Sequence, residues 1–264
     1  MLGLCLCILL GCGELLADQE RPVEANLLID SRELDGSYKL SRIAEYQKSA
    51  RETQVPDEHA WERHSADLIN LGFSKDAHWI RIRFQVTEEP HHGDAWLFEL
   101  GTANARIVDL SHRFNGKELA VHRTGSGVPF GARAVRYRKL TYPVQMLPGQ
   151  HELLLRIESH SSVSLEPVLS SRSHWLAHVL TDELVAGAWL GLIAILVLYN
   201  VVVFIRVRDP VFGYFGSALT GSLSWLMAES GVSPHHIYPD NPGIHDFVLR
   251  FSLGAMLAGL SFFS

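Results

Sequence analysis

Beyond residue 12 this chain has no cysteine at all: Cys5, Cys7 and Cys12 are the only three in 264 residues. A disulfide framework is thereby excluded for everything downstream, and any folded domain there must rest on its own core. Basic side chains are missing from the first seventeen residues. Charge almost vanishes again from Leu184 onward, although 20% of the whole chain is Asp, Glu, Lys or Arg. The formal net charge is −6, and no basic patch interleaved with aromatics is present, so nucleic acid is not an expected partner. There is no GxSxG elbow, since Gly125-Ser126-Gly127 is too short a match, and no phosphate-cradling GxxxxGK[ST]. No catalytic residue and no cofactor is expected. None of the fourteen histidines joins a set with metal-ligand spacing: His174 and His178 share a helix face at most, and His91-His92 and His235-His236 are loop pairs. No metal is expected either.

What is present divides the chain into two solvents. Residues 1–17, MLGLCLCILLGCGELLA, form an apolar run ending in a small residue, which reads as a signal peptide cleaved after Ala17. Leu9-Leu10-Gly11 before Cys12 offers a second reading, a lipoprotein signal with Cys12 lipidated, and a start site placed too far downstream is a third. In all three the domain after residue 17 is exported.

Residues 18–175 have ordinary soluble composition and alternate with period two. Leu40, Ile43 and Tyr46 are spaced for a short helix, and residues 51–66 read as loop. In Trp79–Val86, the residues Ile80, Ile82, Phe84 and Val86 face one way and Arg81, Arg83 and Gln85 the other. Trp96, Phe98 and Leu100 supply the next inward face. Ile107–Phe114 runs into Asn115-Gly116, a hairpin signal, with Leu119 and Val121 beyond it. Val135–Tyr142, the Leu153/Leu155/Ile157 alternation and Val163–Leu169 complete seven or eight expected strands. Short regular turns and alternation predict a mainly β, jelly-roll-like antiparallel sandwich, followed by α-helical transmembrane segments. Trp79 and Trp96 are expected in its core.

Leu184–Ile205 is 22 residues without a charged side chain. As a helix it spans about 33 Å, enough for a hydrocarbon core of about 30 Å. Further spans are expected at 210–228 and, incompletely, at 247–264, within a transmembrane region 184–264. Arg206 and Arg208 fall on the cytoplasmic side when the sandwich is exported, as positive-inside bias requires. Gly187 and Gly191 form a GxxxG expected to pack helices, Gly213, Ser217 and Gly221 continue the spacing in the second span and Gly254 with Ala258 in the third, and Asn200 is expected to bond across to a neighbouring helix.

Several segments resemble the bacterial seven-transmembrane receptors with diverse intracellular signalling modules. They are Gly191…Leu198-Tyr199-Asn200…Arg208-Asp209-Pro210…Tyr214, then Gly231…Tyr238-Pro239-Asp240, and in the sandwich Ala77–Phe84, Trp96–Glu99, Thr124-Gly125…Pro129-Phe130…Arg133 and Leu147-Pro148-Gly149…Leu155-Arg156-Ile157. The resemblance covers about residues 30–264. It implies an extracytoplasmic sandwich related to carbohydrate-binding modules, seven helices and a cytoplasmic cyclase or kinase. This sequence shows two spans, part of a third and no output domain, as expected of a fragment or truncated product, so it is not expected to be an enzyme itself.

Sugar binding requires an aromatic platform with planar hydrogen-bonding groups, and Trp61, Arg133, Arg136 and Tyr137 are the candidate ligand residues. The expected function is a sensory receptor component in the bacterial inner membrane. Its N-terminal domain is periplasmic and senses a small molecule, a saccharide by expectation. Its other partners are the membrane and either a cytoplasmic signalling protein or a second copy. The alternative is a non-signalling, membrane-anchored glycan-binding or adhesion protein.

Overall fold

A computed structural model describes residues 28–30, 36–49, 55, 61–74, 76–88, 95–159 and 162–263. The expected signal peptide, with Cys12, and the loop pair His91-His92 lie outside the described residues. The described strands are β1 (Leu28–Asp30), β2 (Ser37–Lys39), β3 (Glu45–Ser49), β4 (Glu62–Arg63), β5 (Ile69–Asn70), β6 (Ala77–Glu88), β7 (Trp96–Glu99), β8 (Ile107–Phe114), β9 (Lys117–Thr124), β10 (Thr141–Val144), β11 (Gly149–Glu158), β12 (Ser164–Leu165) and β13 (Val168–Ser171).

Two sheets form a sandwich. One runs β4-β3-β6-β11-β8-β9 with β1 attached to β6, and the other runs β10-β7-β13-β2. Pairing is antiparallel except between β1 and β6. The period-two pattern explains the layering. Ile80, Ile82, Phe84, Val108, Leu110, Leu153 and Leu155 point inward from the larger sheet and meet Trp96, Phe98, Tyr142, Val144 and Leu169 from the smaller. Each such side chain contributes about 1.5–3 kcal/mol on burial, which replaces the missing disulfides. Trp79 and Trp96 are both buried, Trp79 on the outward face of β6.

Sequence expectations are corrected at four places. Glu62-Arg63, in the segment read as loop, form β4, and His235-His236 end a short helix, Val232–His236, rather than lie in a loop. Leu40–Tyr46 is not a helix: a 3-10 turn at Ser41–Ile43 leads into β3, where Tyr46 pairs with Ile80 and shares a 2.8 Å hydrogen bond with His78 Nδ1. Pairing with β6 overrides a three-residue spacing. Val135–Tyr142 is not a strand: β10 begins at Thr141, and residues 133–140 bend away from the sheet.

The helices are α1 (Arg172–Val207), α2 (Pro210–Glu229), α3 (Val232–His236) and α4 (Gly243–Phe263). Helix α1 starts on the residue after β13, with Ser171 as N-cap accepting from the His174 amide. At its far end Arg208 adopts φ +57°, its amide bonds Phe204 O, and Asp209 caps α2 with Pro210 at its first position. That local chemistry turns α1 into α2 within two residues. Among the described residues two helices, α1 and Gly243–Ser261 of α4, are long and apolar enough to cross a membrane.

Candidate functional site

The outer faces of the two sheets differ. That of the larger sheet is open and carries a groove of about 400 Å³. Cross-strand register builds it: Asp109 on β8 stands opposite Arg156 of β11 on one side and Arg123 of β9 on the other. Its carboxylate lies 3.3 Å from Arg156 and 3.6 Å from Arg123. Arg156 also pairs with Glu158, and Ser111 Oγ donates to Glu118 at 3.0 Å. Val55, Trp79, Leu110, Val121 and Leu154 provide the apolar part of the lining. Three carboxylates, Asp109, Glu118 and Glu158, are matched by three guanidinium groups, Arg113, Arg123 and Arg156, so the lining carries no net charge.

The outer face of the smaller sheet is covered by the base of α1. Trp175 Nε1 donates to Glu99 on β7 at 2.9 Å and packs edge-on against Tyr137. The bend 133–140 supplies the opposite charge. Arg138 Nε donates to Glu183 at 2.7 Å, Arg138 Nη2 to Asp182 at 3.3 Å, and Arg138 Nη1 to the Ser230 carbonyl just past α2. Lys139 also pairs with Asp182 and lies 3.6 Å from Glu99. A buried polar chain adds a second tie. Asn104 Nδ2 donates to Glu229 at 2.7 Å, and its Oδ1 accepts from His245 Nε2 at 2.8 Å. Gly231 permits the close approach: it has φ +81°, and a Cβ there would stand 2.8 Å from Ala103 Cβ and from the Arg138 carbonyl.

The four predicted ligand residues are not brought together. Trp61 lies on the open sheet face, with the Arg81 guanidinium 4.5 Å from its ring centre, but does not line the groove. Arg133 is buried, donates to the Tyr137 and Arg138 carbonyls and lies over Phe130. Burial lowers its pKa to about 10. Tyr137 donates to Asp182 at 3.3 Å, and burial, with the charge of Glu99, pushes its hydroxyl pKa up. Both brace the junction. Arg136 is exposed. Of the helix residues, Gly187 and Gly191 face open space among the described residues. Close packing runs instead through Gly221 and Gly259, where an added Cβ would stand 2.7 Å from backbone atoms of the opposite helix. Asn200 is buried but donates to Leu196 O of its own helix at 2.8 Å, which corrects the expected cross-helix bond. Sequence reasoning missed Asp182, Glu183, Arg138 and Lys139. The signal was there: an acidic pair directly before the apolar run, and a basic run within a segment taken for a strand.

No curated protein matches the chain. Solved structures that match include CsCBM6-3 from Clostridium stercorarium in complex with cellobiose. It is 12% identical, covering 56% of this chain and 98% of that one at a TM-score of 0.24. TmCBM61 in complex with β-1,4-galactotriose is 6% identical, covering 53% and 86% at 0.23. The insecticidal δ-endotoxin Cry8Ea1 from Bacillus thuringiensis is 13% identical at 0.26, and the match covers 40% of this chain and only 19% of the toxin. The model of the 7TMR-DISM extracellular 2 domain matches residues 35–171, over half of the chain, and that of the 7TM diverse intracellular signalling region matches 182–264. The chain therefore belongs to the seven-transmembrane receptors with diverse intracellular signalling modules, with an outward-facing β-sandwich and a helical membrane region.

Proposed function

We propose that this protein is a sensory receptor of the bacterial cytoplasmic membrane. Its periplasmic sandwich binds a neutral saccharide in the groove of the larger sheet and passes occupancy to the membrane helices. The observation that carries the ligand class is the lining itself. Paired carboxylates and guanidiniums are planar, fixed and mutually neutralised, the arrangement that grips adjacent hydroxyls two at a time. Val121 and Val55, both exposed, offer apolar surface for a sugar's C–H face. A lining of zero net charge gives a charged ligand no long-range attraction. Coupling follows because a ligand biases the helices only by binding one arrangement more tightly than another, and the sandwich is joined to α1, α2 and α4 by polar contacts rather than by a loose linker.

Calorimetry on the full chain in lipid nanodiscs, against a panel of neutral mono- and oligosaccharides, tests the reading. Binding of one of them, weakened at least tenfold by Asp109→Ala, supports it. Binding of an ionic metabolite with no response to any saccharide would sink the ligand class.

A further inference from the structure

We infer that the β8–β9 hairpin is the moving part that carries groove occupancy to α2 and α4. This rests on the groove being the ligand site. The hairpin contributes seven of the twelve residues that line the groove, among them Asp109, Glu118 and Arg123. The other wall, with Arg156 and Glu158, belongs to β11, which pairs with β8 in the same sheet. The hairpin is also the end of its sheet: among the described strands β9 pairs only with β8. A ligand bridging the two walls therefore pulls on an edge pair, the part of a sheet least constrained by neighbours.

The other end of the same hairpin is fastened to the helices. Strand β8 is entered through Asn104-Ala105-Arg106, and β9 is left through Gly125-Ser126-Gly127. The two ends are tied by Ser126 N to Ala105 O and Gly127 N to Arg106 O, both at 2.8 Å. Gly125, at φ +133°, lies so close to the Arg106 carbonyl that no Cβ fits there. The base thus moves as one piece with the strands. Asn104 on this base holds Glu229 of α2 and His245 of α4, and Arg106 pairs with Asp246 of α4 at 3.4 Å. Beyond the base, the Phe130 amide donates to Pro239 O at 2.8 Å in the segment between α3 and α4. From Arg113 to Arg106 the strand runs about 23 Å, so the hairpin is a lever with the groove along its arm and two helix ends at its foot.

A covalent wedge tests this without any ligand, so saccharide binding and leverage stand or fall separately. Val121→Cys is made in a full chain with Cys5, Cys7 and Cys12 changed to serine, coupled to a maleimide fluorophore and reconstituted in nanodiscs. Hydrogen exchange is then read by mass spectrometry. The expected result is a threefold or greater change in exchange across residues 229–246 that disappears when Asn104→Ala is added. The same label at Gln85→Cys, on an exposed position of β6, is expected to leave that segment unchanged. Unaltered exchange in β6 and β11 verifies the fold, and Asn104→Ser replaces Asn104→Ala should the latter not fold. The inference is overturned if residues 229–246 do not respond while 107–124 do, if the response survives the loss of Asn104, or if it appears at 172–183 instead.

Discussion

Arg138 Nε stands 2.7 Å from Glu183 Oε1, and this contact joins a bend of the sandwich to α1 one residue before the apolar run begins. Arg138 is buried on its side and Glu183 is half-exposed, so the pair is partly screened. Arg138 also meets Asp182 and the Ser230 carbonyl, which makes it the residue common to α1 and the end of α2.

Arg138→Ala is expected to loosen this junction by about 2 kcal/mol, below the cost of breaking a fully buried pair because Glu183 can be hydrated. Amide exchange at residues 172–183 should rise roughly thirtyfold, with the core strands β6 and β11 unaffected. Arg138→Lys retains charge without the fork and should recover only part of the loss.

The sandwich should lose stability in acid through one buried pair. His151 Nε2–H donates to Leu147 O at 2.6 Å, which leaves its Nδ1 to accept from His112 Nε2–H at 2.9 Å. Both rings are thus neutral. Burial first, then the neighbouring His151 and His122, lowers the His112 pKa to about 4, and burial lowers that of His151. An unfolded histidine binds its proton near 6.5, so between pH 6.5 and 4 the unfolded chain holds more protons than the folded one. Stability is complete above about pH 6.5 and falls as pH drops toward 4, by up to about 3 kcal/mol. Thermal melts from pH 7.5 to 4 should show this decline, and His112→Gln should flatten it.

Gly221 and Gly259 should not tolerate side chains. A Cβ at Gly221 would stand 2.7 Å from Ser252 O and Met256 N, and one at Gly259 equally close to Ala218 N and Tyr214 O. Alanine at either position is expected to separate α2 from α4 and cost about 1–3 kcal/mol, also straining the 2.8 Å bond between Ser252 and Ser224. Gly187→Ala and Gly191→Ala should leave detergent melting of this chain unchanged, since nothing lies within 4 Å.

Arg136→Ala should leave both the fold and saccharide affinity as they are, because the side chain is exposed and away from the groove. Arg156→Ala should weaken binding at least tenfold, because it frees Asp109 and Glu158 together. Parallel calorimetry of the two variants separates the groove from the residues that looked sugar-binding by type alone.

The sandwich core was legible because period two is a local signal. Ile80, Ile82, Phe84 and Val86 alternate, and they are buried where alternation put them. Asn115-Gly116 was legible for the same reason, and both residues take the positive φ that the hairpin turn needs. What failed was non-local. Tyr46 is a strand residue because β6 lies beside it, and nothing between residues 40 and 46 encodes that. The groove depends on Asp109, Arg123 and Arg156 meeting across three strands, a matter of register rather than spacing. Arg133 and Tyr137 have ligand-binding chemistry, but Arg133 is spent on the carbonyls of its own bend and Tyr137 is turned toward Asp182 and Trp175 of α1. Small-residue spacing picks out Gly187, Gly191 and Gly221 alike, but Gly221, with Gly259, carries the contact because the α2–α4 crossing falls there.

The passage from β13 to α1 leaves no joint. Ser171 ends the strand and caps the helix, so α1 is a stiff rod clamped at one end in a sheet. Its 36 residues reach about 54 Å, well beyond one bilayer core. Clamping converts angle into displacement: a 5° tilt between the smaller sheet and the helices would sweep the far end of α1 sideways by about 5 Å, the distance of one helical turn. A flexible linker would absorb such a tilt, whereas this junction holds α1 to the angle that the sheet sets.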